Sequence, residues 1–573
     1  MTSSDFAGRS IGLNDVPDVP AAPAGSAIEV TEHPWRRRYT DEALLYLPRL
    51  FQMVDRNQYS PTYGSFDRSY WHYRTMDFPC GMYQEFVLPL ALAHTHPFPD
   101  NPYYGVERVR ELAMAGVHYA RKSAHRDGSC DDYFPYERAL GALVFSLHAC
   151  TETLLVLGDR TPALLEFFMR RGDHLRAHNE TGQLTNHQAL AALALYNVYM
   201  LTGEDRFRKS SNEFVDIVRA WQSDEGWFQE YEGADPGYHS CTIAFLAKLF
   251  KKSKDEKLLD IMKPAVDFAW HFMHPDGSYA GEYGSRNTYH FYPHGFEVMA
   301  AYKPEAAQIA DQFLDKGLPL RTRYFNDDDR MCAHYLYDWM QSYLDFSEVR
   351  SPQPLNDRPP YQKYFEKARI YVQNTGRYHA VLSLAKGGVL KVTTEDGPLY
   401  SDTGLIGRST DGTVIVSHIV DDYEVKADLQ TSKFSAAGRM CRRKSKLATP
   451  FTQIIFRLIN LTLGRFAPNL LRSLLQKVLI TGKKRTNYEF ARDFEFLDDF
   501  VIIRSRMKKP PGSRKLESLH IASDATSIYV ANSNVYQHSV LLPWRELSQM
   551  RDQVNTTGEG EHTLTIKPPK QRA

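Results

Sequence analysis

The chain has 573 residues, 69 Lys+Arg against 69 Asp+Glu, and 43% hydrophobic residues. That length suggests two or three domains, and a net charge of zero excludes a polyelectrolyte, so no nucleic-acid partner is expected. No run of eighteen apolar residues reads as a membrane span, and six scattered cysteines without a CxxC pair argue against a zinc ribbon or redox motif.

Residues 1–35 are rich in Pro, Ala and Gly and are expected to be disordered. They lack a basic start followed by an apolar stretch, so no signal peptide is expected and a cytoplasmic location follows. Residues 36–348 alternate helical apolar periods with polar turns. Helices are expected over 41–54, 82–94, 105–123, 137–156, 161–176, 187–202, 205–221, 238–251, 255–273, 295–302, 304–317 and 329–343. Three turns share a theme: "DGSCDDYFPYERA" from Asp127, "EGWFQEYEGADPGYHS" from Glu225 and "DGSYAGEYGSRNTYHFYPHGF" from Asp276. Each places an acidic–Gly pair and then aromatics before the next helix. Repeated helical hairpins with long turns at one end predict a solenoid or an incomplete (α/α) toroid whose turns line a cleft.

A Pro-rich linker is expected over 349–365. From 366 to 565, period-two alternation with "KGG", "EDG" and "TDG" turns predicts an antiparallel β-sandwich. The expected fold class is therefore α+β multidomain. One insert, about 448–482, departs from the strand pattern. From Leu429 to Tyr488 there are 13 Lys/Arg and no Asp or Glu. Leu470, Leu471, Leu474, Leu475, Val478 and Leu479 share one helical face there. Such a basic amphipathic hairpin suits an anionic membrane surface or a lipid-linked glycan over 448–485, or equally packing within the protein.

The residues that suggest chemistry lie in the turns. Asn186 and His187 stand together where an apolar helix begins, and Gly237-Tyr238 opens a later one. Arg286, Tyr289, His290 and His294 crowd the third turn beside Glu282. "FDRSYWHYRTMDFP" supplies Trp71, His72 and Arg74 for sugar stacking and carboxylate pairing at a cleft edge. Tyr136, Trp227 and Gln229 sit in the other turns, and 34 Tyr overall suit a sugar cleft. Glu137 and Arg138 read as a buried ion pair or a subsite. Asn186 is also an ordinary helix-cap residue type, and Pro293 between His290 and His294 argues against a helical metal pair; neither a metal nor a cofactor is expected.

This arrangement resembles the polysaccharide lyases of the heparinase II/III, alginate-lyase and chondroitin-lyase type. The resemblance rests on Asn186-His187, on the turn Glu225-Gly226-Trp227-Phe228-Gln229-Glu230, and on Gly237-Tyr238. Trp227 stands where Ser is usual and Glu230 where His is usual, so the chain resembles a divergent member. It implies catalytic roles for Asn186, His187 and Tyr238, and an anionic uronate polysaccharide as partner; His294, in the third turn, is a further catalytic candidate read from the residues there. In a uronate the C5 proton is α to a carboxylate, so its removal needs that charge neutralised by preorganised donors, then a base and an acid. Tyr238 fits either role if nearby cations lower its pKa. The leading expectation is β-elimination. C5-epimerisation uses the same residues, a toroid glycoside hydrolase would use Asp235 and Glu282, and a non-catalytic glycan-binding protein needs none of them.

Overall fold

The computed structural model describes residues 33–178, 182–318, 329–443, 447–468, 470, 471, 474, 483–527 and 536–567. The Pro/Ala/Gly-rich start and the second half of the basic insert lie outside the described residues.

Helices dominate the first part of the chain: α1 (Arg36–Met53), α2 (Arg68–Trp71), α3 (Val87–Thr95), α4 (Glu107–Lys122), α5 (Leu140–Leu157), α6 (Pro162–Ala177), α7 (Thr185–Thr202), α8 (Asp205–Ala220), α9 (Pro236–Ser253), α10 (Lys257–Trp270), α11 (His294–Met299), α12 (Pro304–Gln312) and α13 (Cys332–Leu344); α14 (Pro450–Ile459) lies far downstream. Helices α5, α7 and α9 are buried nearly all round, whereas α8 buries only one stripe, at Phe207, Ser210, Ser211, Phe214 and Val218. The difference sorts them into two layers. In the inner layer α3, α5, α7, α9, α11 and α13 touch in that order, and α13 returns to α3, closing a circuit. The partners α4, α6, α8, α10 and α12 pack on its outside. Helix α5 is long and apolar enough to cross a membrane, but it is buried among its neighbours.

The repeated turns have a common cause. Ser129 and Ser278 each bond Asp127 and Asp276 through both N–H and hydroxyl. Gly128, Gly226 and Gly277 take φ of 88°, 92° and 77°, a left-handed conformation that a side chain resists.

The C-terminal part is antiparallel throughout. A five-stranded sheet runs β3 (Tyr361–Phe365), β4 (Ile370–Asn374), β5 (His379–Ser383), β6 (Val389–Thr394), β7 (Gly397–Asp402) in sequence order. A nine-stranded sheet is built from the strands between Leu405 and Ile566. Strands β4, β5 and β6 are buried on both faces. Tyr371, Ala380, Leu382, Leu390 and Val392 share a core with Phe434, Phe494 and Ile503 of the larger sheet. The alternate residues Ile370, Val372, Val381 and Val389 join the core of the helical part. Period-two geometry thus welds the smaller sheet to both neighbours.

Candidate functional site

The start of α7 meets the turn from Glu225 and the turn from Asp276 at the mouth of α9. Leu184 occupies the N-cap of α7 without a side-chain bond, so Asn186 lies inside the first turn and is not the cap. Its N–H donates to Glu230 Oε1 at 2.9 Å, and its Nδ2 donates to Glu230 Oε2 at 3.0 Å. The buried Asn186 Oδ1 has no hydrogen-bond partner among the described residues. Glu230 sits on a short hairpin, β1 (Gln229–Glu230) with β2 (Gly233–Ala234). That hairpin is tied to α7 by Thr185 Oγ1 donating to Gln229 O at 2.6 Å, and to the third turn by Ser285 Oγ donating to Glu230 O at 2.9 Å.

Asp235 ties the hairpin's exit to α9 and to the third turn. Its carboxylate caps α9 by accepting the Tyr238 N–H at 3.1 Å, and it also accepts the Arg286 N–H at 2.8 Å and the Thr288 hydroxyl. Gly237 makes this junction possible, because a Cβ there would lie 2.2 Å from Thr288 Oγ1. The junction brings Tyr238 beside His290, with ring centroids 4.9 Å apart. The His290 Nδ1 lies 2.7 Å from the Tyr335 hydroxyl. The Arg286 guanidinium covers the Tyr231 ring at 4.2 Å.

Burial sets the electrostatics. It pushes Glu230 up to about 8, against the Asn186 bonds and the Arg286 charge, which pull the other way. It raises the Tyr238 phenol well above its ordinary value, with Glu230 and Asp235 adding to the rise and Arg286 opposing it. The expectation that cations would lower this phenol is therefore corrected: desolvation wins. Burial also holds His290 well below its ordinary value. At neutral pH the group contains a protonated carboxyl, a protonated phenol and a neutral imidazole, with Arg286 supplying positive charge. Asn186, Glu230, Arg286 and His290 are buried, while Tyr238 is half-buried.

Other expected residues are placed elsewhere. His187 is half-buried and turns edge-on to Phe145 at 5.6 Å, lining a small cavity with Leu140, Val144 and His178. Adjacent helical residues point about 100° apart, and the imidazole beside Tyr238 is His290. His294 pairs through Nε2 with Asp345 at 2.8 Å. Asp345 follows the end of α13, whereas Tyr335, the partner of His290, lies in its first turn. Tyr289 is buried under Lys391 Nζ at 5.1 Å, and Glu282 pairs with that same lysine at 3.4 Å. Trp227 Nε1 donates to Glu225 at 2.9 Å, whose carboxylate also takes the Lys367 and Ala368 N–H groups from the sheet part. Gln229 donates to Tyr231 O. Trp71 donates to Met53 O, while His72 and Arg74 are exposed. Tyr136 lies beside His125 and under Arg465 of the insert. Glu137 accepts the Asp132 and Tyr133 N–H groups, and Arg138 pairs with Asp127.

Two residues belong to the group without having been expected there. Glu230 carried a signal, since it stands where the resembled turn has His. Lys386 carried none. It enters from the β5–β6 turn, fully buried, and its Nζ donates to Glu282 O, to Asn287 Oδ1 and to Gly284 O, the last at 3.0 Å. The hydrolase pair fares differently, because Asp235 and Glu282 are both engaged in holding the loop.

No protein-family profile and no curated protein matches the sequence. The fold matches Streptomyces coelicolor A3 chondroitin AC lyase, solved with chondroitin sulphate, at a TM-score of 0.55 and 10% identity, covering 96% of this chain and 81% of that one. It matches Paenibacillus xanthan lyase at a TM-score of 0.54 and 10% identity, again over 96% of this chain but 58% of that one. The chain thus spans under two thirds of the xanthan lyase. In fold, the chain is similar to these two enzymes along nearly all of its own length.

Proposed function

We propose that this protein is a lyase acting on a uronate-containing acidic polysaccharide by β-elimination. The observation that carries the reading is the meeting of Tyr238, His290, Arg286 and the Glu230–Asn186 pair, drawn from the start of α7 and two separate turns. The names of the two matched enzymes support a polysaccharide substrate. On this reading the helical circuit is the (α/α) toroid of such lyases, and the two sheets sharing one core are its β-sandwich.

The chemistry follows from protonation states. Arg286 and the neutral Glu230 carboxyl take the substrate carboxylate, supplying the charge neutralisation that the usual His would give. His290, neutral through burial, accepts the C5 proton. The electrons of that bond form C4=C5, the C4–O4 bond breaks, and Tyr238 gives its phenolic proton to O4. The proton then returns from His290 to Tyr238. Reprotonation of C5 before O4 leaves would give epimerisation from the same residues.

The test is a panel of polyuronates followed by ultraviolet absorbance of the unsaturated product. Tyr238→Phe is expected to lower turnover by about a hundredfold or more with melting temperature unchanged. Near-normal turnover in that variant removes Tyr238 from the mechanism. Solvent deuterium at C5 without chain cleavage would replace elimination by epimerisation, and new reducing ends without absorbance would replace it by hydrolysis.

A further inference from the structure

Helix α14 leaves its apolar side uncovered. Thr449 and Thr452 cap it reciprocally, with Pro450 at the first helical position, so the helix is well defined. One side holds it to the helical part: Phe456 meets Phe134 at 5.4 Å, and Arg457 pairs with Asp77 at 2.9 Å. The other side presents Phe451, Ile454, Ile455 and Leu458, spaced as one helical face and 70%, 60%, 41% and 58% exposed. Phe466, beyond the helix, is 82% exposed. Of 22 exposed large hydrophobic residues among the described ones, ten fall between Leu447 and Leu474; a solvated surface scatters such residues singly.

Charge narrows the occupant. The segment Leu429–Tyr488 has 13 Lys/Arg and no acid, and Arg442, Arg465 and Lys484 are exposed on it. A second copy of this chain docked about a two-fold axis would set one basic insert against another. An acidic glycan would satisfy the cations and leave the apolar ridge in water. An anionic bilayer meets both needs, taking the ridge below its headgroups and the cations among them. We propose that α14 and its flanks dock this protein on an anionic lipid surface, as a peripheral contact and not a span. Lys483 of the same insert pairs with Glu232 at 3.0 Å, in the turn of the hairpin that carries Glu230. Docking would therefore set that hairpin near the headgroups. The proposal stands whether or not the lyase chemistry does, because its readout is binding.

The test is flotation of the full chain with vesicles of phosphatidylcholine alone or mixed with phosphatidylglycerol. Wild type should float with the mixed vesicles at least about tenfold more than with the neutral ones, and high salt should weaken it. The double variant Ile454→Asp/Leu458→Asp should lose about tenfold or more of that binding. Both positions are exposed, so its melting temperature and circular dichroism should match wild type, which separates lost docking from lost folding. Failure of folded wild type to float, or equal flotation of the variant, overturns the proposal. So does a dimer in sedimentation that the same variant dissolves while nothing floats.

Discussion

Glu230 shows how one residue type reorganises a turn. Its carboxyl is fully buried and held at about 8, above an ordinary value of 4.5. Between those values the folded protein binds a proton that the unfolded chain releases. The contribution is thus complete below about pH 4.5 and lost as pH rises through about 8. Glu230→Gln keeps the shape and carries no titrating proton. The melting temperature of wild type relative to this variant should therefore fall steadily across that window, as read by scanning calorimetry at several pH values. A constant difference would mean that Glu230 titrates normally. The sequence already marked Glu230 as a departure from the resembled turn, and it made the Asn186–Tyr238 neighbourhood legible. It paired Asn186 with His187, its neighbour along the chain, whereas the helix turns His187 toward Phe145. His290 reaches Tyr238 across a junction that no local spacing rule describes.

At the scale of elements, the loop carrying Arg286, Tyr289 and His290 is held from outside the helical part. Lys386 supplies three donors to it, and Lys391 pairs with Glu282 while donating to Gln537 Oε1 at 2.8 Å. Burial lowers Lys386 to about 7, with Asp235 and Glu282 opposing the shift. Lys386→Met fills the space and removes every donor, leaving buried carbonyl groups that cost about 1–3 kcal/mol each when unsatisfied. Hydrogen exchange at amides 282–290 should quicken by about tenfold or more, with exchange in α5 unchanged. Equal protection in the two proteins would show that the loop holds itself. The helices were readable because their apolar period is strong: 205–221 is expected and α8 spans Asp205–Ala220. The hairpin β1–β2 was not, since two-residue strands carry no period. Nor does "LAKGG" announce that its lysine crosses to another part of the chain.

Over the whole molecule, buried histidines decide how acid acts. His148, His271 and His418 are brought down to about 3, and His174 and His239 to about 4, in each case first by burial. They come from both the helical and the sheet parts, so protonation strains both. Their ordinary value is 6.5. Below it the unfolded chain binds protons that the folded protein refuses, so stability is present above 6.5 and is lost as pH falls toward 4. Carboxyls raised by burial, Glu85, Glu230 and Glu297 among them, act in the opposite sense. Glu297 is held by Arg350 at 2.6 Å and Glu85 by His334 at 2.6 Å, and these partners limit their rise. Ten histidines held below their ordinary value, against six carboxyls held above theirs, set the sign. The melting temperature should drop continuously from about pH 6.5 to about pH 4, and both parts of the chain should unfold in one transition. The smaller sheet's residues Val372 and Val381 belong to the helical core, while Tyr371 and Leu382 belong to the core shared with the larger sheet. Separate acid transitions, seen by circular dichroism at helix and strand wavelengths, would mean that this shared packing is too weak to couple the two parts.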